Sequence, residues 1–131
     1  MARLSTLLAI GSLTLLNIGP AQAVVGNAEA GKKIFAKCGT CHGIGDQKKP
    51  IAPNLNNVAG RTAGTLEDFK TKYSKAMVEA GAGGLVWDEA KLIQWVSAPK
   101  KMIPATKMVF PGLPKEQEAA DVIAYVKTFS Q

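Results

Sequence analysis

Cys38-Gly39-Thr40-Cys41-His42 sets two thiols three positions apart with an imidazole directly after them. Thiols at that spacing can each add to one vinyl group of a single porphyrin. The adjacent histidine can then swing beneath the iron as proximal ligand, so C-x-x-C-H reads as a c-type haem attachment site. C-x-x-C alone also suits a redox thiol pair or half of a zinc centre. A zinc centre needs further Cys or His ligands, and the chain holds two cysteines and one histidine in all. The same counts exclude a bis-histidine haem, a disulfide framework and a Cys₄ cluster. A haem-free thiol oxidoreductase using Cys38 and Cys41 is the competing reading. It expects a βαβ setting that the pattern below lacks.

With no second histidine, the far side of an iron at this site is left to methionine, to lysine, or to an open position. Met77, Met102 and Met108 remain once Met1 is set aside. A lone methionine is more often a filler of apolar gaps. Met77, between Ala76 and Val78 in a helical stretch, fits that description. Met102 and Met108 both fall in a proline-rich segment whose backbone can wrap a haem face, and position alone does not separate them.

The elements that must hold these residues are helical, with little strand signal, so the fold class is a small all-α domain with long loops. Asn27 is a helix cap with Glu29 in the first turn, and Gly31, Ile34 and Phe35 share one face. Residues 43–64 are rich in Gly, Pro and Asn and read as loop. A short helix is expected over 65–80, ended by Gly81, Gly83 and Gly84. Asp88 caps a following helix with Leu92, Trp95 and Val96 on one side, and Pro99 stops it. Residues 100–114 are expected to be extended or looped. After Pro114, Ala119, Val122, Ile123 and Val126 form an apolar stripe, with Tyr125 and Phe129 beside it. Three or four short helices and so much loop bury little apolar surface alone, and only 6% of residues are aromatic. Loops of this length are usually functional or wrapped around something.

The 131 residues amount to one domain, too few for a two-domain enzyme. The basic start Met1-Ala2-Arg3, the apolar run Leu4 to Ile18 and Ala21-Gln22-Ala23 after Gly19-Pro20 read as a secretory signal cleaved after Ala23. An uncleaved membrane anchor is the alternative, for which the run is short of the ~20 residues of a spanning helix. Residues 1–23 are then signal and 24–131 the functional domain of 108 residues, with 15 basic and 10 acidic side chains. A charge of +5 favours docking on acidic partner surfaces. Lysines not interleaved with aromatics argue against nucleic acid.

Further along, Gly31-Lys32-Lys33-Ile34-Phe35, Ala52-Pro53-Asn54-Leu55, Gly60-Arg61-Thr62-Ala63-Gly64, residues 99–110 (Pro99-Lys100-Lys101-Met102 through Thr106-Lys107-Met108-Val109-Phe110) and residues 121–127 stand in one order with the C-x-x-C-H motif. In these motifs the chain resembles the class I monohaem cytochrome c family, its bacterial c2 branch in particular, over almost the whole length after residue 23. The resemblance implies the small cytochrome c fold, three to five helices and long loops around one covalent haem c. It implies thioether bonds from Cys38 and Cys41, His42 as proximal iron ligand and Met108 as distal ligand, with Met102 at a variable position. Pro53 would offer its carbonyl to the other nitrogen of His42. Arg61, Tyr73 and Trp87 would satisfy the buried propionate, Thr106 the other propionate, and Phe110 would cover the exposed haem edge. Gly31 and Phe35 would pack on Val122 and Tyr125 where the first and last helices cross.

The sequence also departs from the family. Trp95 stands where a tyrosine usually bonds the methionine sulfur, and its indole is a donor only. Ala52 and Ala105 replace common glycines, and an asparagine that orders internal water is replaced near Met77.

The function implied is a soluble periplasmic one-electron carrier with no catalytic residues, a monomer. Its partners would be the acidic surfaces of membrane or periplasmic redox proteins: a reductase complex, oxidase, reaction centre or dehydrogenase. Lys37, Lys48, Lys49, Lys100, Lys101 and Lys107 would ring the exposed edge. The alternative from another class is a ligand-binding or peroxidase-like haem protein with an open distal site.

Overall fold

The structure, a computed structural model, describes residues 23–131. The expected export signal, all but Ala23, lies outside the described residues. Among the described residues there are five α-helices, α1 (Ala28–Ile34), α2 (Lys75–Ala82), α3 (Glu89–Ser97), α4 (Pro99–Met102) and α5 (Glu116–Lys127), and two 3₁₀ turns, Phe35–Lys37 and Glu67–Phe69. None of these helices is long and apolar enough to cross a membrane.

The helix starts follow from side chains that satisfy otherwise orphaned N–H groups. Asn27 Oδ1 accepts from Ala30 N at 3.0 Å, Ser74 Oγ from Met77 N at 3.1 Å, and Asp88 Oδ1 from Lys91 N at 2.8 Å. The expected helix over 65–80 is therefore two pieces. Ser74 has extended backbone and caps a new start, so α2 begins at Lys75 and the chain before it makes only a 3₁₀ turn. Proline acts differently from the expectation at position 99. Ala98, preceding it, is forced out of the helical region and ends α3. Pro99 then opens α4, because a first helical residue has no use for its missing N–H. Gly81 does not end α2 but lies within it. A Cβ there would stand 1.9 Å from the Ala63 carbonyl oxygen, so the glycine is what lets residues 62–63 pass.

The stripe on α5 is fully buried, from Ala119 through Val126, and faces α1 and α3. At the α1–α5 crossing a Cβ on Gly31 would meet the Asp121 carbonyl oxygen at 1.9 Å. Phe35 packs on Tyr125 with ring centroids 5.4 Å apart, and Tyr125 meets Phe129 edge-on at 5.3 Å. The buried Asp121 carboxylate accepts from Asn27 N at 2.7 Å and from Gln117 Nε2 at 2.8 Å, tying the start of α1 to α5.

The long loop 43–64 is fixed by its own polar groups. Asn56 exchanges both side-chain bonds with the backbone of Gly45, at 2.7 and 2.8 Å. Beyond it, residues 60–63 lie antiparallel to 85–87, through Gly60 N to Trp87 O (2.7 Å), Trp87 N to Arg61 O (2.9 Å) and Ala63 N to Leu85 O (2.9 Å).

Candidate functional site

The helices and the wrapped loops leave a cavity in two lobes. The inner lobe, about 110 Å³, is walled by the core and takes in Pro53, Arg61, Trp87, Trp95 and the stripe of α5. The outer lobe, about 300 Å³, opens past Cys41, Thr106, Phe110 and Lys107. Five residues line both: Cys38, His42, Tyr73, Met77 and Met108. All eleven residues singled out in the sequence therefore line one space, although 72 positions separate Cys38 from Phe110.

The attachment motif follows α1 directly. The 3₁₀ turn Phe35–Lys37 continues into turns closed by Gly39 N to Phe35 O (2.8 Å) and His42 N to Cys38 O (2.9 Å), which bring Cys38, Cys41 and His42 to the same cavity wall. His42 Nδ1 stands 2.8 Å from the Pro53 carbonyl oxygen. A carbonyl only accepts, so Nδ1 carries the proton and Nε2 keeps its lone pair. Burial lowers the pKa of His42, against a smaller upward pull from the Pro53 bond, and so favours the neutral imidazole a metal requires. Burial pushes the Cys38 thiol up, with Lys37 opposing. That is the reverse of the shift a nucleophilic cysteine needs. Among the described residues no three or more His, Cys, Asp or Glu side chains converge to hold a bare metal ion. Two thiols, one imidazole with a free Nε2 and an apolar cavity fit a porphyrin that brings its own iron.

Arg61 reaches the inner lobe from the segment paired with Trp87. Its guanidinium donates to the Asn54 carbonyl at 3.1 Å and also to the Asn56 carbonyl, so it fastens the loop as well as facing the cavity. Burial lowers its pKa and raises that of Tyr73, while each holds the other's charged form against that shift. Trp87 and Trp95, both buried, pack at 5.4 Å with their planes tilted by 49°. Thr106 Oγ1 accepts the Met108 N–H at 3.1 Å, shaping the turn that presents Met108. Met102 lines neither lobe and packs against the core.

Met77 packs against the core, as its setting in the sequence suggests, and also lines both lobes; Phe69, Ser74 and Ile51, which the sequence does not single out, line the outer lobe. Of the lysines, Lys37 and Lys107 stand at the mouth, joined by Lys72. Lys107 Nζ is itself held by the carbonyls of Lys72 and Tyr73, at 3.1 and 3.4 Å. Lys48 and Lys49 border a neighbouring surface cavity, and Lys100 and Lys101 lie on α4, away from these walls.

Known proteins give the same picture. The family described as Cytochrome c matches residues 28–130. The chain belongs to the cytochrome c family. It carries covalently bound haem c with its iron, and it is an electron carrier, not an enzyme. It is similar to cytochrome c2 of Afifella marina, 46% identical over 101 residues, 76% of this chain and 80% of that protein. It is likewise similar to cytochrome c2 of Rhodoblastus acidophilus, 45% identical over 105 residues, 79% of this chain and 94% of that one. Among solved structures, cytochrome c2 from Rhodospirillum centenum superposes with a TM-score of 0.73 at 37% identity, covering 81% of this chain and all of that one. The cytochrome c fold expected from the sequence is thus the fold found.

Proposed function

We propose that residues 24–131 form a soluble periplasmic one-electron carrier, exported by a signal cleaved after Ala23, whose iron is held between His42 and Met108. The observation that carries the reading is the junction of the two lobes, which His42 and Met108 share with the attachment cysteine Cys38. When bound, the haem supplies a one-electron couple whose potential His/Met ligation raises.

Every other part is work for the chain. Cys38 and Cys41 hold the group by thioether bonds. Pro53 fixes the His42 tautomer and makes Nε2 a stronger donor. Arg61, Tyr73 and Trp87 offer hydrogen-bond donors to a buried propionate, whose charge would otherwise cost several kcal/mol to desolvate. Thr106 keeps its own hydroxyl hydrogen for the second propionate. Phe110 covers the exposed edge. Trp95 fills the distal side with an indole in place of a hydroxyl. Ligands that stay bound in both oxidation states leave little to reorganise, and a closed iron leaves no place for substrate.

At the mouth, exposed Ile51 and Val109 sit among Lys37, Lys72 and Lys107, a surface suited to brief contact with an acidic redox protein by a monomeric carrier. Stopped-flow electron exchange with an acidic reductase or oxidase tests this. The rate should fall about ten-fold between ~0.01 M and ~0.15 M salt. A rate indifferent to salt contradicts the steering. A reduced protein that binds carbon monoxide at once contradicts the closed iron and supports the ligand-binding alternative.

A further inference from the structure

The cavity presents two methionines where one distal ligand would suffice. Met77 and Met108 both line both lobes, together with the attachment cysteine, the proximal histidine and Tyr73. They hang on supports of different kinds. Met108 lies in the connection between α4 and α5, between exposed Lys107 and Val109, which is 92% exposed. That connection is tied across the cavity mouth by the exposed Lys107 ammonium. Met77 sits on α2, whose start is capped by buried Ser74 and whose Gly81 is pressed against the Ala63 carbonyl. Segments with few buried contacts and few regular backbone hydrogen bonds open first. Between the buried anchors Ile103 and Leu113 no residue of the stretch that carries Met108 is buried, and it lacks the helical bonding of α2, so it gives way before α2 does.

We propose that Met77 is a reserve thioether ligand, which takes the distal position on the iron when the connection opens and carries Met108 away. The inference rests on the reading of Met108 as resident ligand. One iron–sulfur bond breaks and another forms, with no proton or electron exchanged. Both donors are neutral thioethers, so the exchange changes neither the charge nor the ligand class of the site. Methionine is unbranched and flexible enough to move its sulfur while its backbone stays in a helix. The consequence is a carrier that remains closed to small ligands while its distal loop fluctuates. A methionine present only to fill space would leave the iron's coordination untouched.

The test uses the haem-loaded protein in four forms: parent, Met77→Leu, Met108→Ala and the double variant. Leucine conserves the volume of methionine. The expected result is low-spin methionine-ligated iron in the parent, in Met77→Leu and in Met108→Ala, and high-spin iron only in the double variant. A Met108→Ala protein as high-spin as the double variant, beside an unchanged Met77→Leu, overturns the reserve role and leaves Met108 as resident ligand. Loss of methionine ligation in Met77→Leu alone overturns both readings.

Should Met108→Ala fail to load haem, carbon monoxide uptake by the reduced parent and Met77→Leu decides. Uptake scales with the fraction of open molecules whose iron is vacant. A reserve ligand filling about nine-tenths of them makes Met77→Leu about ten-fold faster. Equal rates overturn the proposal.

Discussion

At the α1–α5 crossing a single hydrogen atom on Gly31 separates one helix from the Asp121 carbonyl of the other. Around His42 the walls stand apart and enclose two lobes. The crossing is closed by protein atoms: a glycine contact, the Phe35–Tyr125–Phe129 ring series, and Asp121 bridging Asn27 and Gln117. The cavity is framed by backbone and amide bonds of loops, with Asn56 on Gly45, Arg61 on Asn54 and Thr106 on Met108. Its interior is reserved for a group that no residue supplies. One region carries its own cohesion, and the other borrows it from the haem.

The largest expected effect comes from withholding the haem. In Cys38→Ala/Cys41→Ala the group has no covalent anchor. At about 24 cal/mol per Å³ of void, the inner lobe of about 110 Å³ left empty costs about 3 kcal/mol, and the apolar walls of the outer lobe, which opens to water, lose their cover as well. Together these take a large share of the marginal stability of a small domain. Calorimetry should show no cooperative melting of this variant, with residual helicity confined to α1 and α5. A sharp transition near that of the parent would mean that the cavity region stands by itself.

Next in size is Gly31→Ala, which breaks the other region. The added methyl cannot coexist with the Asp121 carbonyl, so the helices must part. Overpacking of this kind costs about 3 kcal/mol, read by denaturant unfolding of the haem-loaded protein with its absorption spectrum preserved. A loss below about 1 kcal/mol would show that the crossing yields easily.

The smallest effect is a control outside both. Lys91 holds the Asp88 carboxyl below the usual carboxylate range through its side chain and its N–H. A depressed folded pKa stabilises above the unfolded value of about 3.9, and that contribution is lost as pH falls through the folded value. Asp88→Asn keeps an N-cap oxygen but drops the charge. Its small deficit at neutral pH should therefore vanish in acid. A deficit independent of pH would place the effect in the cap alone.

The two regions also differ in how much of them the sequence reveals. At the crossing, the cap Asn27 and the stripe Ala119 to Val126 are local patterns, as is the Asp88 cap of α3, and the helices form where those patterns lie. The attachment motif is equally local. The rest of the cavity wall is not. Met77 faces it because Ser74 restarts the chain as α2 and Gly81 lets residues 62–63 pass. That outcome depends on contacts between distant segments and looks like a core methionine in sequence. Pairing of 60–63 with 85–87 leaves no periodic trace in segments of four and three residues. Pro99 was ambiguous because proline both ends and begins helices. The choice of Met108 over Met102 came from family resemblance, and the structure adds that only Met108 reaches the cavity.

The most direct test of the central claim is nuclear magnetic resonance of the reduced protein with methyl-labelled methionine. A thioether methyl held against the iron lies in the porphyrin ring current and is displaced far from the other methionine signals. One such methyl is expected, retained in Met77→Leu and in Met102→Leu and therefore belonging to Met108. Its disappearance in either variant, or a spectrum with no displaced methyl, would contradict that assignment.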